Sequence, residues 1–227
     1  MNEQIREIVL SYGADLCGFA DIDRLSNAPD GFHPANIFPD CKSVISFAMA
    51  LPKGLAKVPS RLVYGHYNSL ICPEVDAIAL KTAKKLEESF NCFAVPIPCD
   101  GPYEYWNAEE TAGRGLVSMK HIAVQAGLGT LGKSTLLLNK RYGSMLTLGA
   151  ILTDLALATD PLAESICIDD CQKCVDNCPA CAISGGAVNQ KACRQNTYGK
   201  TARGFDTVDC NKCRTICPMC YGAGTER

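Results

Sequence analysis

The order of apolar and polar residues predicts an N-terminal helix followed by two strands. Ile5, Ile8 and Val9 recur at helical spacing in the first segment. The apolar run 16–20 predicts a short strand, and the run 43–49 is almost wholly apolar. A strand without polar positions is typical of one with neighbours on both sides. We therefore expect the second strand at the centre of a sheet.

A longer amphipathic helix is predicted between Pro73 and Phe90. Its apolar positions repeat at helical intervals and include Val75, Ile78, Ala79, Leu86 and Phe90. Pro73 suits the first turn of a helix, because proline has no N–H group and that turn needs none. Residues 92–97 then return to an extended pattern.

Two apolar runs close this part of the chain. Residues 116–126 have a helical pattern, and the runs follow at 136–138 and 145–152. The sequence Asn-Lys-Arg-Tyr-Gly at 139–143 is typical of a turn between paired strands. The pattern therefore predicts a hairpin formed by the two runs.

The composition fits one substantial domain and a small module. The chain has 227 residues, of which 47% are hydrophobic, so it can bury a real core. We place the boundary near Asp160 and Pro161. The domain would then span residues 1–160, and the module residues 161–227.

Charge and hydropathy restrict the partners and the location. The formal net charge is -2 and no basic stripe is visible, so nucleic-acid binding has no electrostatic support. No apolar stretch approaches the roughly 18 residues of a membrane helix, and no membrane partner is expected. With 15 cysteines and no export signal, the expected location is the reducing cytoplasm.

Two cysteine runs dominate the last quarter of the chain. They are Cys167-x3-Cys171-x2-Cys174-x3-Cys178-Pro179 and Cys210-x2-Cys213-x3-Cys217-Pro218. A cubane 4Fe-4S cluster needs four thiolates around one small volume, and a loop with cysteines at every third residue supplies three of them. In two-cluster ferredoxins the cysteine before proline binds the other cluster. The runs therefore predict two cross-wired 4Fe-4S clusters.

This rule divides the cysteines into two sets of metal ligands. The first set is Cys171, Cys174 and Cys217, and the second is Cys178, Cys210 and Cys213. The candidate fourth ligands are Cys167 for the first set and Cys193 for the second. The ferredoxin pattern would place a cysteine at position 168, where this chain has Ile168, so Cys167 is one residue out of register.

Zinc and disulfides are the structural alternatives. Paired C-x-x-C units also form four-thiolate zinc sites, but zinc does not need the proline-flanked cysteine that ends each run. A disulfide framework fits poorly with cysteines that concentrate in one segment of a chain without a secretory leader. Cys181 and Cys220 follow the two Cys-Pro units, and packing near the clusters is their simplest interpretation.

Residues 127–134 match the phosphate-loop pattern G-x-x-x-x-G-K-S/T. A phosphate loop leaves a buried strand and opens a helix, so that amides at the helix N-terminus face the phosphates. Here a helical pattern at 119–126 precedes the loop, and strand-favouring residues follow it. An ATPase is therefore a weak interpretation. The three glycines still require a tight turn or a close approach of the backbone to a cofactor.

The glycine loop and the segments after it resemble the epoxyqueuosine reductases and their relatives, the reductive dehalogenases. The resemblance begins at Ala126-Gly127-Leu128-Gly129-x-x-Gly132-Lys133-x-Thr135-Leu136-Leu137. It continues through Tyr142-Gly143-Ser144 and 148–155 to both cysteine runs, and more weakly back through 38–45. The order of these segments is more specific than any single motif.

The resemblance implies an α+β fold, with a nitroreductase-like sheet-and-helix domain followed by a ferredoxin-like module that carries both clusters. It also implies a base-off cobalamin that receives electrons from the clusters, with flavin as the lesser alternative. The family has the same cluster wiring, including a lone cysteine between the runs. An electron donor such as a ferredoxin or flavodoxin is the implied partner. The implied cofactor contacts are Gly127, Gly129, Gly132, Lys133, Tyr142 and Gly143.

Two differences from the family weaken the assignment of the family's substrate to this chain. Epoxyqueuosine reductases carry an aspartate, the expected proton donor, shortly before the helix that leads to the glycine loop, and that place falls at Gly113 here. The members that act on tRNA continue into a helical-repeat domain, whereas this sequence ends soon after Cys220. We therefore expect a short member with weak support for queuosine in tRNA as substrate. The lack of a twin-arginine leader argues against an exported dehalogenase.

Two functions remain open. The first is an enzyme, in which the clusters supply electrons through the second cofactor to an unidentified small molecule and a nearby acid supplies the proton. Glu104, Tyr105, Glu109 and Glu110 lie in the right segment, but loop carboxylates are usually solvated and none is assigned as catalytic. The second is a non-catalytic electron-transfer or corrinoid-handling protein.

Overall fold

A four-stranded antiparallel sheet organises the first two thirds of the chain. The computed structural model describes residues 1–224, which form a mixed α and β fold with six α-helices and twelve strands. The helices are α1 (Asn2–Ser11), α2 (Leu62–Phe90), α3 (Met119–Gln125), α4 (Lys173–Asp176), α5 (Gln190–Thr197) and α6 (Lys212–Thr215).

The main sheet contains the longer strands. Its order is β1 (Leu16–Asp21), β2 (Ser43–Ala50), β8 (Leu146–Thr153) and β3 (Ala94–Ile97), and every neighbouring pair is antiparallel. The prediction that the apolar run at 43–49 lies inside the sheet is confirmed, because β2 has neighbours on both sides. The predicted strand at 16–20 is also confirmed as β1.

Helices cover both faces of this sheet. Alternate residues of a strand point to opposite faces. Ile45 and Phe47 of β2 therefore pack with the buried side chains of α1 and α2, whereas Val44 packs with Ile122 of α3. Each face excludes water over its central strands, so the sheet is a rigid support for the loops at its edges.

The remaining strands form four two-stranded ribbons. These are β4 (Tyr105–Asn107) with β5 (Ala112–Arg114), β6 (Thr130–Leu131) with β7 (Leu137–Leu138), β9 (Ile183–Ser184) with β10 (Ala187–Val188), and β11 (Tyr198–Lys200) with β12 (Asp206–Val208). The last two ribbons lie among the cysteines of the C-terminal segment.

Helix α2 begins earlier than its sequence pattern predicted. The prediction placed Pro73 in the first turn, and it is wrong, because the helix begins at Leu62 and Pro73 lies in its interior. The additional turns bury Tyr64 and bring Gly65 against Val208 of β12. A Cβ atom at Gly65 would lie 2.9 Å from the backbone nitrogen of Val208. Long-range packing therefore outweighs the local cost of an interior proline.

The predicted hairpin between the runs 136–138 and 145–152 is also wrong. Strand β7 pairs with β6 across a turn that is closed by the bond from Thr135 N to Gly132 O. Strand β8 pairs with β2 and β3 instead. The segment 139–143 does form a tight turn, in which the backbones of Asn139 and Gly143 exchange hydrogen bonds of 3.0 and 2.8 Å.

Asp160 joins the N-terminal elements to the start of the C-terminal segment. Its carboxylate accepts hydrogen bonds of 3.0 Å from Arg6 of α1 and from the backbone of Phe19 in β1. Its carbonyl accepts a bond of 2.7 Å from Arg24. The chain therefore leaves the sheet at a fixed position. In residues 1–224, we find no helix with the length and apolar character needed to span a membrane.

The packing of Gly149 generates a stability prediction. Gly149 in β8 lies opposite Phe47 of β2, and a Cβ atom there would overlap the Phe47 ring and come within 2.7 Å of Val75 Cγ1. We expect Gly149→Ala to lower the free energy of unfolding by about 1–3 kcal/mol, because the core is overpacked. Urea denaturation measures this change.

Gly54→Ala is the matched control, because a Cβ atom at Gly54 meets nothing within 4 Å. Its effect should stay within about 0.5 kcal/mol. Equal stability of the two variants would contradict this account of the core.

Candidate functional site

Four thiols from both cysteine runs line one pocket. Cys167, Cys171 and Cys174 come from the first run, and Cys217 comes from the end of the second. Short helix α4 carries Cys174, and the turn after α6 carries Cys217. We call these four residues the first quartet. The rest of the lining comes from the glycine loop and its neighbours: Gly132, Lys133, Ser134, Leu138, Ile168, Pro218 and Met219.

The first quartet lies in a poorly solvated environment. Burial raises the pKa of the Cys174 thiol, and the neighbouring thiols of Cys167 and Cys171 add to this effect. Burial likewise raises the pKa of Cys217, with Cys174 and Cys167 among its neighbours. Thiols so close together resist becoming thiolates unless a cation compensates their charge. A bound metal would supply that compensation.

Three further thiols surround Cys213 and form with it a second group of four. Burial raises the pKa of Cys213 to about 11, and Cys193, Cys210 and Cys178 are the neighbouring thiols that raise it further. We call these four residues the second quartet. Cys193 is carried by α5, whose first turn is capped by the Asn189 side chain through a bond of 3.0 Å to Ala192 N.

The two quartets are interlocked through the Cys-Pro units. Cys178 ends the first run but lies with the second quartet, and Cys217 ends the second run but lies with the first. The structure therefore brings together the same thiols that the spacing rule grouped, including the out-of-register Cys167. Within residues 1–224, no three cysteine, histidine or carboxylate side chains converge as tightly as a single metal ion requires. A cubane differs in that each thiolate binds a separate iron.

Basic side chains and a backbone amide lie next to the quartets, and the sequence patterns did not predict these groups. Arg214 lowers the pKa of Cys213, against the larger effect of burial. Its Nη1 atom is buried and has no hydrogen-bond partner among the described residues. Lys120 of α3 is a second cation near Cys213, and its amine bonds to Thr135 O at 3.0 Å. The position of Arg214 directly after Cys213, a predicted ligand, is the sequence feature that could have identified it.

Hydrogen bonds to sulfur add to this environment. The backbone N–H of Ala182 donates to the Cys178 thiol at 3.3 Å. Such bonds stabilise thiolates and tune the potential of a cluster that they hold. The orphaned nitrogen of Arg214 is costly when buried without an acceptor, and the sulfur of a cluster is a suitable acceptor. The donor set therefore fits two four-thiolate clusters.

The glycine loop holds the first quartet in place through Lys133. The Lys133 amine donates to the backbone carbonyls of Ile168 and Cys171 at 3.2 and 3.0 Å, and also to that of Asp169. All three carbonyls belong to the loop that carries Cys167 and Cys171. Helix α3 precedes the glycine loop, which contains β6 and leads into β7, and this is the reverse of the strand-to-helix order of a phosphate loop.

The chain's own backbone accounts for the loop glycines. Gly127 has a φ of +75°, and its side-chain direction is blocked by the carbonyl of Pro161. A Cβ atom at Gly129 would lie 2.9 Å from the carbonyl carbon of Leu138, and one at Gly132 would lie 2.8 Å from Leu138 Cδ1. These contacts require glycine whether or not a cofactor is bound.

Gly143, one of the predicted cofactor residues, lies against the residues that follow the second cysteine run. Gly143 has a φ of +58°, and its side-chain direction is blocked by the carbonyls of Met219 and Cys220. Tyr142 is half-buried below the Arg141 guanidinium, which lies 4.9 Å from the ring centre. Cys220 is buried beside Cys217, whereas Cys181 is exposed.

Aromatic rings fill the place where the family's aspartate is expected. A Cβ atom at Gly113 would lie 2.9 Å from Cγ of Tyr103, so a larger residue would displace the ring. Tyr103 stacks on Trp106 at 5.9 Å and accepts a hydrogen bond of 3.0 Å from Arg194, which follows Cys193. The Gln190 side-chain amide accepts a hydrogen bond from the Gly113 N–H and donates one to the Gly113 carbonyl.

The candidate acids of the same segment are solvated. Glu104, Glu109 and Glu110 are exposed, as is Tyr105. Glu110 forms an exposed ion pair of 3.6 Å with Lys191. None of these four residues is enclosed in a pocket where a proton could be delivered in the absence of bulk water.

Comparison with known proteins supports the resemblance seen in the sequence. No model of a known protein family matches the chain. The epoxyqueuosine reductase of Lactococcus garvieae (strain Lg2) is 30% identical over 171 residues, which cover 74% of this chain and 46% of that protein. The chain spans about half the length of the curated relatives that it matches.

Solved structures show the same fold. The epoxyqueuosine reductase from Streptococcus thermophilus superposes with a TM-score of 0.70 at 20% identity and covers 100% of this chain and 68% of its own. The catabolic reductive dehalogenase NpRdhA superposes with a TM-score of 0.73 at 17% identity, over 97% of this chain and 32% of its own. In sequence the chain is similar to the epoxyqueuosine reductases, and it has the fold that these enzymes share with the reductive dehalogenases.

Proposed function

We propose that this chain is an iron–sulfur oxidoreductase in which two 4Fe-4S clusters deliver electrons for the reduction of a small-molecule substrate. The observation that carries the proposal is the pair of interlocked thiol quartets. Residues 1–160 would form a nitroreductase-like domain, and residues 161–227 a two-cluster ferredoxin-like module. An electron donor of the ferredoxin or flavodoxin class would reduce the clusters.

Each quartet has a defined task in this proposal. Cys167, Cys171, Cys174 and Cys217 would hold one cluster, and Cys178, Cys193, Cys210 and Cys213 would hold the other. Clusters of this kind accept and release single electrons. Arg214 and Lys120 offset the negative charge that arrives with each electron near Cys213. Burial of the thiols excludes water from the metal.

Cobalamin is the second cofactor that the family resemblance suggests. One similar structure is described as suggesting a mechanism for B12-dependent dehalogenation, with a TM-score of 0.69 over 95% of this chain. The loop residues predicted to contact a corrinoid are engaged elsewhere: Lys133 with three carbonyls, and Gly127 and Gly143 with backbone. These residues do not provide a free contact set for it. Cobalamin at this loop therefore stays a prediction, as does flavin, and no step is assigned to either.

The second candidate is a non-catalytic electron carrier or corrinoid-handling protein. The Tyr103 ring over Gly113 favours it, because this ring occupies the place of the family's expected proton donor. The proposed reductase requires another acid or a protonated substrate. Anaerobic purification followed by iron, cobalt and flavin analysis and by an assay of substrate reduction separates the candidates. Iron with turnover of a reducible substrate supports the reductase, and iron with electron exchange alone supports the carrier.

Paired cysteine substitutions test the interlocked wiring. Removing Cys171 and Cys217 together affects one proposed cluster, whereas removing Cys210 and Cys217 together affects both. We expect about eight iron atoms per wild-type chain, about four in Cys171→Ala/Cys217→Ala, and almost none in Cys210→Ala/Cys217→Ala. Iron analysis with electron paramagnetic resonance measures the difference.

Cys181→Ala is the matched control for these variants. Cys181 lies in the same module but is exposed and outside both quartets, so its removal should leave the iron content unchanged. Equal iron loss in the two double variants would contradict the interlocked wiring. Stoichiometric zinc in place of iron would overturn the cluster proposal.

Substitution of Lys133 tests the role of the glycine loop. Lys133→Met keeps most of the side-chain length but removes the donor to the carbonyls of Ile168, Asp169 and Cys171. The loss of a charged hydrogen-bond donor costs about 1–3 kcal/mol. We expect iron to leave the first quartet about 5-fold to 100-fold faster in the presence of a chelator.

Lys140→Met is the control, because Lys140 is exposed. Its rate of iron loss should equal that of the wild-type protein. Neither variant should change ATP binding in equilibrium dialysis. ATP binding that disappears only in Lys133→Met would instead support the phosphate-loop interpretation.

A further inference from the structure

Two cysteines outside the quartets lie side by side in the N-terminal part of the chain. Cys72 lies in α2 directly before Pro73, and Cys99 follows β3. Asp76, one helical turn after Cys72, accepts a bond of 2.8 Å from the backbone N–H of Cys99, so Cys99 lies beside the turn of α2 that follows Cys72. The packing of α2 against β3 brings them together, and both thiols are partly accessible.

The pair has the asymmetry of a reactive dithiol. The hydrogen bond with Cys99 lowers the pKa of Cys72, whereas the same hydrogen bond and burial raise the pKa of Cys99. Asp76 and Asp100 are the charged groups that face the pair, and both oppose ionisation. Asp76 also fixes Cys99 by accepting a bond of 2.8 Å from its backbone N–H. A thiolate beside a protonated thiol is the species from which a disulfide forms.

Cys72 borders the same apolar cluster as Cys217 of the first quartet. Cys72 and Cys217 both pack against one group of buried side chains. That group consists of Leu51, Leu55, Tyr64, Ile71, Met145, Val208, Cys220 and Tyr221. No layer of bulk water separates Cys72 from Cys217, because the side chains of this cluster are buried. This location connects Cys72 with Cys217 through protein interior.

We infer that Cys72 and Cys99 form a dithiol–disulfide redox site that exchanges two electrons with the two clusters. This inference rests on the proposed function, because the clusters are its electron partners. In the oxidation, the Cys72 thiolate and the Cys99 thiol form one S–S bond and release one proton and two electrons. Each oxidised cluster takes one electron, and the reverse reaction restores the dithiol. The site would store an electron pair, which single-electron clusters do not hold individually.

The first measurement maps the disulfide itself. The iron-loaded protein is equilibrated without oxygen in dithiol/disulfide buffers, alkylated, digested and analysed by mass spectrometry. A Cys92→Ser background leaves Cys99 as the single cysteine of the tryptic peptide 86–114. We expect a cross-linked Cys72–Cys99 peptide in oxidising buffers, and none in Cys72→Ser or Cys99→Ser. Absence of the cross-link in every buffer would overturn the inference.

The second measurement counts electrons. Protein with the pair oxidised is titrated with photochemically generated reductant while the visible absorbance of the clusters is followed. The Cys92→Ser protein should take up about two electrons more per chain than Cys72→Ser/Cys92→Ser before bleaching is complete. Equal uptake would overturn the exchange with the clusters.

The readouts separate this inference from the proposed function. The iron content should be about eight atoms per chain in the variants with and without Cys72. A chain without iron would refute the proposed clusters and the exchange with them, while the cross-linked peptide reports on the pair independently. Iron-loaded protein without the cross-link would refute the pair alone.

Discussion

The arrangement of the proposed metal centre depends on a contact in which backbone meets backbone. Gly127 meets the Pro161 carbonyl, and Gly143 meets the carbonyls of Met219 and Cys220. Any larger residue at these positions would push the cysteine runs away from the sheet. Since β8 continues directly from this segment into the core, the rigid sheet fixes where the thiols lie. Lys133 adds to these contacts, because its amine donates hydrogen bonds to three backbone carbonyls of the loop that carries Cys167 and Cys171.

The thiols that the spacing rule grouped lie near one another because this rule is local, and their role as cluster ligands stays a prediction. Three cysteines per run are placed by one short helix and one proline turn, whatever the rest of the chain does. Cys167 is out of register with the ferredoxin pattern, and yet it lies with its quartet. The extra residue lies between Cys167 and Cys171, where the chain turns and Lys133 binds the backbone carbonyls, so it is absorbed within this turn. Local spacing could not predict this compensation.

The predictions that failed share a different cause. Pro73 was placed at a helix start because proline is unfavourable inside a helix, but the preceding turns are stabilised by contacts between Gly65 and Val208. The hairpin prediction was wrong because the apolar pattern of β8 does not specify its neighbouring strand. In the structure β8 pairs with β2 and β3. Both errors concern partners distant in sequence. The proximity of Cys72 and Cys99 is equally nonlocal, which explains why their spacing carried no signal.

The packing of Tyr103 over Gly113 has a consequence for which substitutions this segment tolerates together. An aspartate at position 113 and the present position of Tyr103 exclude each other sterically. Tyr103 is held in turn by Arg194, which is attached to the helix that carries Cys193. Substitutions at 103, 113 and 194 are therefore epistatic, and a single reversion at 113 meets a steric barrier. An acid at position 113 would fit only after the aromatic ring had left, so the order of the two substitutions decides whether each is tolerated.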